Sequence, residues 1–265
     1  MRIGIVTLFP ELFTSFLATS MVGRAVASGA LAVDLVNLRE FGLGKHRSVD
    51  DSPYGGGSGM VMRVDCVVLA LEAFDARAGL SRDAVNEAPG ETRRETNELS
   101  RAAPPQRAHR ILLTPQGRPF DQAKATELAE RPNVALVCGR YEGFDERVAS
   151  FIDEEISLGD FVMTGGEVAA MAIIDTCSRL LPGVLGNPGS AMLESHSPSM
   201  EGMLEFPQFT RPVEFRGLRV PEVLQGGNHA AIAAWRKAEA ERRTAERRPD
   251  LWRRILARRG EGGGS

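Results

Sequence analysis

The chain has 265 residues, 43% of them hydrophobic, and a formal net charge of -3, so it can bury a substantial core in one large or two modest domains but carries no chain-wide basic footprint for nucleic acid. Its N-terminal apolar run, Ile3 to Phe9, is broken by Pro10 and Glu11, and no segment approaches the roughly 18 uncharged apolar residues of a spanning helix, so neither a signal peptide nor a membrane segment is expected. Cys66, Cys138 and Cys177 are odd in number, far apart and in no C-x-x-C pair, which argues against a disulfide framework or a structural zinc site and leads us to expect a reducing cytoplasm.

In chain order, Arg2 to Leu8 reads as a strand ended by Phe9-Pro10, Glu11 to Ala18 has helical composition, and Met21 to Ala27 forms a short helix stopped by Gly29. Leu31 to Leu38 alternates as a second strand. Phe41 to Gly59 is a loop containing HRSVDDSPYGGGSG, whose glycines suit a backbone that turns sharply or packs against another surface; composition alone gives an exposed surface loop. Val64 to Ala78 is an amphipathic helix with Val67, Val68, Leu71 and Phe74 on its core face. From Gly79 to Ala108 the composition shifts to proline and charges of both signs, the signature of a loosely ordered, solvated excursion.

Order returns with Arg110 to Leu113, a strand running into T-P-Q-G-R, followed by a helix over Asp121 to Ala129 and a strand over Val134 to Cys138. Glu142 to Phe151 reads as mostly helix, Glu155 to Leu158 as a strand opening the apolar run Ile156 to Met163, and Gly165 to Leu181 as a long buried helix. Strands alternating with helices imply an α/β fold with a mainly parallel sheet. Gly139, Gly143, Gly159, Gly165 and Gly166 fall where strands should stop, and in such sheets ligands sit beyond the carboxyl ends of the strands. No G-x-G-x-x-G opens a helix and no G-K-[ST] follows a glycine loop, so a nucleotide-like ligand would be held differently. The charges around these glycines, Arg140, Glu142, Asp145, Glu146, Arg147, Asp160 and Glu167, are equally readable as helix caps and solvated loop ends.

Pro182 to Phe206 has no steady period and reads as a linker or lid. Beyond it, Trp235 to Arg259 carries ten basic residues against four acidic ones, a positive excess of six that suits phosphate contact without sequence readout, or an exposed helical face.

Several long blocks, in order, resemble the bacterial tRNA (guanine-N1)-methyltransferases, the TrmD family of the SPOUT superfamily: IGIVTLFPELF, HRSVDDSPYGGGSGMVM, LTPQGRPFDQ, the stretch Asn133 to Met171, SRLLPGVLGN and FTRPVEFRGLRVPEVLQGGNH, followed by Trp235 and Arg236. The resemblance implies methyl transfer from S-adenosylmethionine to N1 of the guanosine at position 37 of tRNA. It also implies a deep trefoil knot in the α/β domain and a small helical C-terminal domain. The expected division is 1–181 as the cofactor domain with 79–108 as an insertion, 182–206 as linker, 207–259 as tRNA-binding domain and 260–265 as a flexible tail. Three loops would hold the cofactor: Leu112, Leu113, Pro115 and Gly117; Gly139 with Glu142 near the methionine amino group; and Ser157, Leu158, Gly159, Asp160, Phe161, Val162, Met163, Gly165 and Gly166.

By the same resemblance Arg179 is the cation near O6, and Glu194 stands where the family has its Asp general base, counted without gaps from G-V-L-G. Ala169 departs from the family's Pro. A homodimer with shared sites and a magnesium requirement are implied too, although no metal-ligand cluster is legible. The competing expectations are another SPOUT methyltransferase acting on a ribose or on ribosomal RNA, and an RNA-binding module of the same fold without catalysis.

Overall fold

The computed structural model describes residues 1–80, 107–185 and 193–261; most of the 79–108 excursion, residues 186–192 of the expected linker and the terminal Gly-Gly-Gly-Ser lie outside the described residues. The chain divides into two compact units, Met1–Leu185 and Gly186–Ser265.

The first unit starts with β1 (Arg2–Thr7), a one-turn 3-10 helix at Pro10–Phe13, α1 (Thr14–Ala18), α2 (Ser20–Ala27) and β2 (Ala32–Asn37). The glycine-rich loop follows and carries the short antiparallel pair β3 (Asp50–Asp51) and β4 (Val61–Met62), then α3 (Val64–Arg77). After it come β5 (His109–Pro119), α4 (Gln122–Ala129), β6 (Asn133–Cys138), β7 (Glu154–Ser157) and α5 (Glu167–Ser178). Five strands form one sheet in the order β2-β1-β6-β5-β7, every neighbouring pair parallel. This is the mainly parallel α/β fold that the alternation implies.

Central strands β1 and β6 are buried along almost their whole length, as expected where helices cover both faces of a parallel sheet. Ile3, Ile5, Ile111 and Leu136 pack under Val22, Leu128, Ile173 and Ile174 of α2, α4 and α5. Val6, Val36, Ala135 and Val137 pack on the other face under Val67, Leu71 and Phe74 of α3. That second face depends on a glycine: a Cβ on Gly4 would lie 2.6 Å from the Phe74 ring.

One stretch departs from its sequence reading, and the strand expected over Glu155 to Leu158 is β7, one residue earlier. Of Glu142 to Phe151 only Glu146–Phe151 is helical, and of 3-10 type. The residues before it are bound elsewhere: the Glu142 and Asp145 N–H groups donate to the Met60 and Met62 carbonyls, and the Gly143 carbonyl accepts from the Met62 N–H, so the glycine-rich loop takes the backbone groups a helix would use. The apolar run Ile156 to Met163 is not one strand, because β7 stops at Ser157. There the Ser157 hydroxyl both accepts from the Gly159 N–H and donates to the Gly159 carbonyl, and Gly159 takes φ +151°, which turns the chain out of the sheet.

In the second unit, Met200 and Phe206 pack with Ala240, and the Leu204 N–H donates to the Thr244 hydroxyl. Residues 193–206 therefore pack on the helix that follows. The unit continues with the two-residue strands β8 (Glu214–Phe215) and β9 (Leu218–Arg219), joined through Arg216 and Gly217 at φ 52° and 78°, the conformation of a tight hairpin turn. It ends with α6 (His229–Arg247), capped by the Asn228 side chain, and α7 (Pro249–Glu261). Among the described residues no helix is long and apolar enough to cross a membrane.

Candidate active site

The site begins as an irregularity in β5. Leu113 and Arg118 both pair with Ile156, so the four residues between them are expelled from the ladder as a bulge, a device that re-aims backbone and side chains at the edge of a sheet. Thr114, Pro115 and Gln116 on that bulge line a cavity of about 340 Å³, within the range of small-molecule sites. Gly117 does not line it. A Cβ there would sit 2.6 Å from the Ile156 carbonyl carbon, so its contribution is to let β5 return against β7.

The loop after β6 supplies Gly139, Arg140, Tyr141, Glu142 and Phe144. Gly139 lies beneath the Phe144 ring, 2.7 Å from where its Cβ would be. The loop after β7 supplies Leu158, Gly159, Phe161, Val162, Met163, Gly165 and Gly166. The Gly166 N–H donates to the Gly139 carbonyl at 3.0 Å, tying these two loops together. Phe161 and Val162 are 55% and 85% exposed and stand side by side in the lining. With Leu112, Leu113 and Ser157 also in the wall, every residue expected to hold a cofactor lies at this cavity except Gly117 and Asp160; the latter is exposed and outside the wall.

The rim is acidic, with Glu142, Asp145, Glu146 and Glu155 in the lining, and one of these carboxylates is paired. Asp145, a lining residue, accepts from the Arg147 Nε at 2.9 Å and Nη2 at 2.6 Å, and this guanidinium pulls its carboxyl down from the ordinary 3.8 to about 2. The half-buried Arg140 of the wall pairs with a buried carboxylate behind it, that of Glu167, the first residue of α5. The thiols of Cys138 and Cys177 are pushed up by burial, the second to about 12, and all three cysteines are free and buried. They are inert packing groups.

Arg179 caps the far end of α5. The near end of that helix, at Gly166 and Ala169, forms part of the cavity wall, and twelve residues at 1.5 Å each separate the ends by about 18 Å. The fold does not bring Arg179 to its own chain's cavity. Glu194 belongs to the second unit, half-buried, in a turn where its carbonyl accepts from the Ser197 N–H. Among the described residues no group of three or more His, Cys, Asp or Glu side chains could hold a metal ion. Thr114, Gln116 and Tyr141 fall within the expected loops Leu112 to Gly117 and Gly139 to Gly143 without having been named individually, and Phe144 lies just beyond the second; Thr7, which bonds Glu167, had no local signal at all.

A cavity assembled from three loops at the carboxyl ends of parallel strands, without a phosphate fingerprint, defines an α/β protein with a candidate small-molecule site built on backbone-rich turns. The chain belongs to a family of this class: the model described as tRNA (Guanine-1)-methyltransferase TrmD matches residues 1–254. A tRNA (guanine-N(1)-)-methyltransferase of Sorangium cellulosum is 70% identical over 98% of this chain and 96% of its own length. Proteins of the same description from Anaeromyxobacter dehalogenans and Moorella thermoacetica are 47% and 48% identical, each over 96% of this chain and over 92% and 91% of their own lengths.

Proposed function

We propose that this chain methylates N1 of the guanosine at position 37 of tRNA, with S-adenosylmethionine as donor. The observation that carries the reading is the cavity formed by the β5 bulge and the Gly139 and Gly159–Gly166 loops, in a chain that belongs to the family throughout its length. The family implies the donor, and the cavity suits it: apolar walls from Leu113, Leu158 and Met163 for the adenosine, glycine backbone for close polar contacts, and Glu142 for the methionine ammonium.

The bound donor supplies a methyl group on a cationic sulfur. The protein must free the lone pair of guanine N1, which carries a proton at neutral pH. Glu194 is the proposed general base, its carboxylate taking that proton, and Arg179 the cation that stabilises the negative charge developing toward O6. Because Arg179 stands at the end of α5 away from its own chain's cavity and does not line it, we propose a homodimer in which the Arg179 of one chain serves the cavity of the other. The SPOUT knot in the first unit, a tRNA-binding role for α6 and α7, and a cytoplasmic location complete the proposal.

Nucleoside analysis of a tRNA transcript with guanosine at positions 36 and 37, after incubation with enzyme and donor, should find 1-methylguanosine at 37; ribose methylation, or none, would overturn the reading. Mixed chains test the shared site. Arg179→Ala and Gly165→Val proteins should each be inactive alone and recover activity when combined, because a mixed dimer has one intact cavity facing one intact arginine. A mixture as inactive as its parts would place both residues in one chain's site.

A further inference from the structure

Behind the cavity wall, three elements meet on one buried carboxylate. Glu167 is 1% exposed. Its Oε1 accepts from the Thr7 hydroxyl at 2.8 Å and from the Arg140 Nε at 3.3 Å, and its Oε2 lies 2.9 Å from the Arg140 Nη2. The Arg140 Nη1 donates to the Thr164 carbonyl at 3.2 Å, and the guanidinium lies 4.5 Å from the centre of the Phe9 ring. The Thr7 hydroxyl in turn accepts from the Phe9 N–H at 3.0 Å. Thus the end of β1, the loop after β6 and the start of α5 share one polar junction, and the Thr164 carbonyl is held to it.

Gly165 shows how closely this junction sits against the cavity loop. A Cβ there would stand 2.5 Å from both the Glu167 Oε2 and the Arg140 Cζ. Gly165 is therefore fixed from behind, by the pair, while its other side faces the cavity. Thr7 and Glu167 do not line the cavity, so neither can act on a ligand except through Arg140 and the loop.

We propose that Thr7, Glu167 and Arg140 form a clamp that sets the backbone of Thr164–Gly166 and thereby the affinity of the cavity for its adenosyl ligand, with Thr7 and Glu167 as positioning residues. The inference rests on the reading of this cavity as the S-adenosylmethionine site. A buried carboxylate bonded to one guanidinium and one hydroxyl has few well-bonded arrangements, and losing a partner leaves part of its charge without compensation. The loop is then held in its binding conformation before the ligand arrives, which lowers the ordering cost of binding. Such a clamp governs ligand affinity more than the rate of transfer once the ligand is bound.

The test compares Thr7→Val, Thr7→Ser and Glu167→Gln with the parent, by calorimetric titration with S-adenosylmethionine, by steady-state methyl transfer and by thermal unfolding without ligand. Thr7→Val removes the hydroxyl at nearly constant volume, and we expect about tenfold weaker ligand binding, the scale of one hydrogen bond to a charged group. The turnover number at saturating donor should stay within about twofold of the parent, and Thr7→Ser should restore parent affinity. Glu167→Gln should weaken binding at least as much; should it fail to fold, the Thr7 pair still decides. A Thr7→Val protein with a lowered melting temperature but ligand affinity within about twofold of the parent would overturn the clamp and leave a purely structural junction. A parent protein that takes up no S-adenosylmethionine would overturn the reading of the cavity itself, and the clamp with it.

Discussion

If Glu194 is the base, its side chain is one methylene longer than the family's aspartate, so the turn that carries it would sit slightly farther back or curl differently to place the carboxylate on the acceptor nitrogen. The chemistry changes little, because ordinary Asp and Glu differ by only about 0.4 pH unit. Glu194→Gln should lose on the order of a hundredfold or more in methyl transfer and Glu194→Asp should retain appreciable activity, with donor binding unaltered in both. A Gln variant transferring at the parent rate would move the search to Asp50 and Asp51, of which Asp51 is paired with Arg63. Glycines show how far single residues can be read from sequence. Gly139, Gly159, Gly165 and Gly166 could be marked as sites of close approach, but what approaches them could not: the Phe144 ring, the Phe161 ring, the Arg140–Glu167 pair and the Cys138 backbone. At Gly4 even the close approach was hidden inside a strand. Gly4→Val should destabilise the first unit by about 1–3 kcal/mol or more through overpacking against Phe74, measured by denaturant unfolding.

Elements were legible where short apolar runs lay between breakers, as in β1 and β6, or where apolar residues kept helical spacing, as in α3. They were illegible where distant backbone intervened. Glu142 to Phe151 reads as mostly helix, yet N–H and carbonyl groups of Glu142–Asp145 are bound by Met60 and Met62, and the helix begins only where the Asp145 side chain accepts from the Arg147 N–H. The same carboxylate predicts a pH dependence. Its pKa is depressed from 3.8 to about 2 by Arg147, so its contribution to stability is complete above 3.8 and is lost as pH falls through about 2. Asp145→Asn, which keeps a capping side chain, should give a melting temperature that falls less steeply than the parent's between about pH 4 and pH 2. A second junction joins α3 to β5: Asp75 accepts from the Ala108 N–H at 2.9 Å and the Arg110 Nη2 at 2.7 Å, and both side chains are buried. Asp75→Ala would leave the guanidinium without its partner and should cost about 3–5 kcal/mol, read from the urea midpoint.

At the scale of the whole molecule, the sequence separated an α/β part from a basic helical part, but net charge per region could not say which cations are already paired. In α6 and α7 the Arg242 guanidinium is bound to Glu239 and Glu246, Arg248 to Asp250, and Arg259 to Glu201 and Glu241. Arg247, Arg253 and Arg254 are exposed, and no ion pair to them occurs among the described residues. The paired arginines meet carboxylates and release few counterions on meeting RNA, whereas the others are open to phosphate. If this surface binds the tRNA backbone, changing Arg247, Arg253 and Arg254 together to Gln should weaken binding and reduce the slope of log affinity against log salt by about one for each phosphate that is no longer neutralised. Changing Arg242 and Arg248 to Gln removes two charges that carboxylates already balance, so the slope should stay near the parent value while S-adenosylmethionine affinity is constant in both proteins. Filter-binding titrations across a salt series distinguish the two sets: equal slopes for the triple variant and the parent would make these helices a solvated face, and the tRNA-binding surface would then have to be sought elsewhere, beginning with the exposed Phe215 and Leu218 of the β8–β9 hairpin.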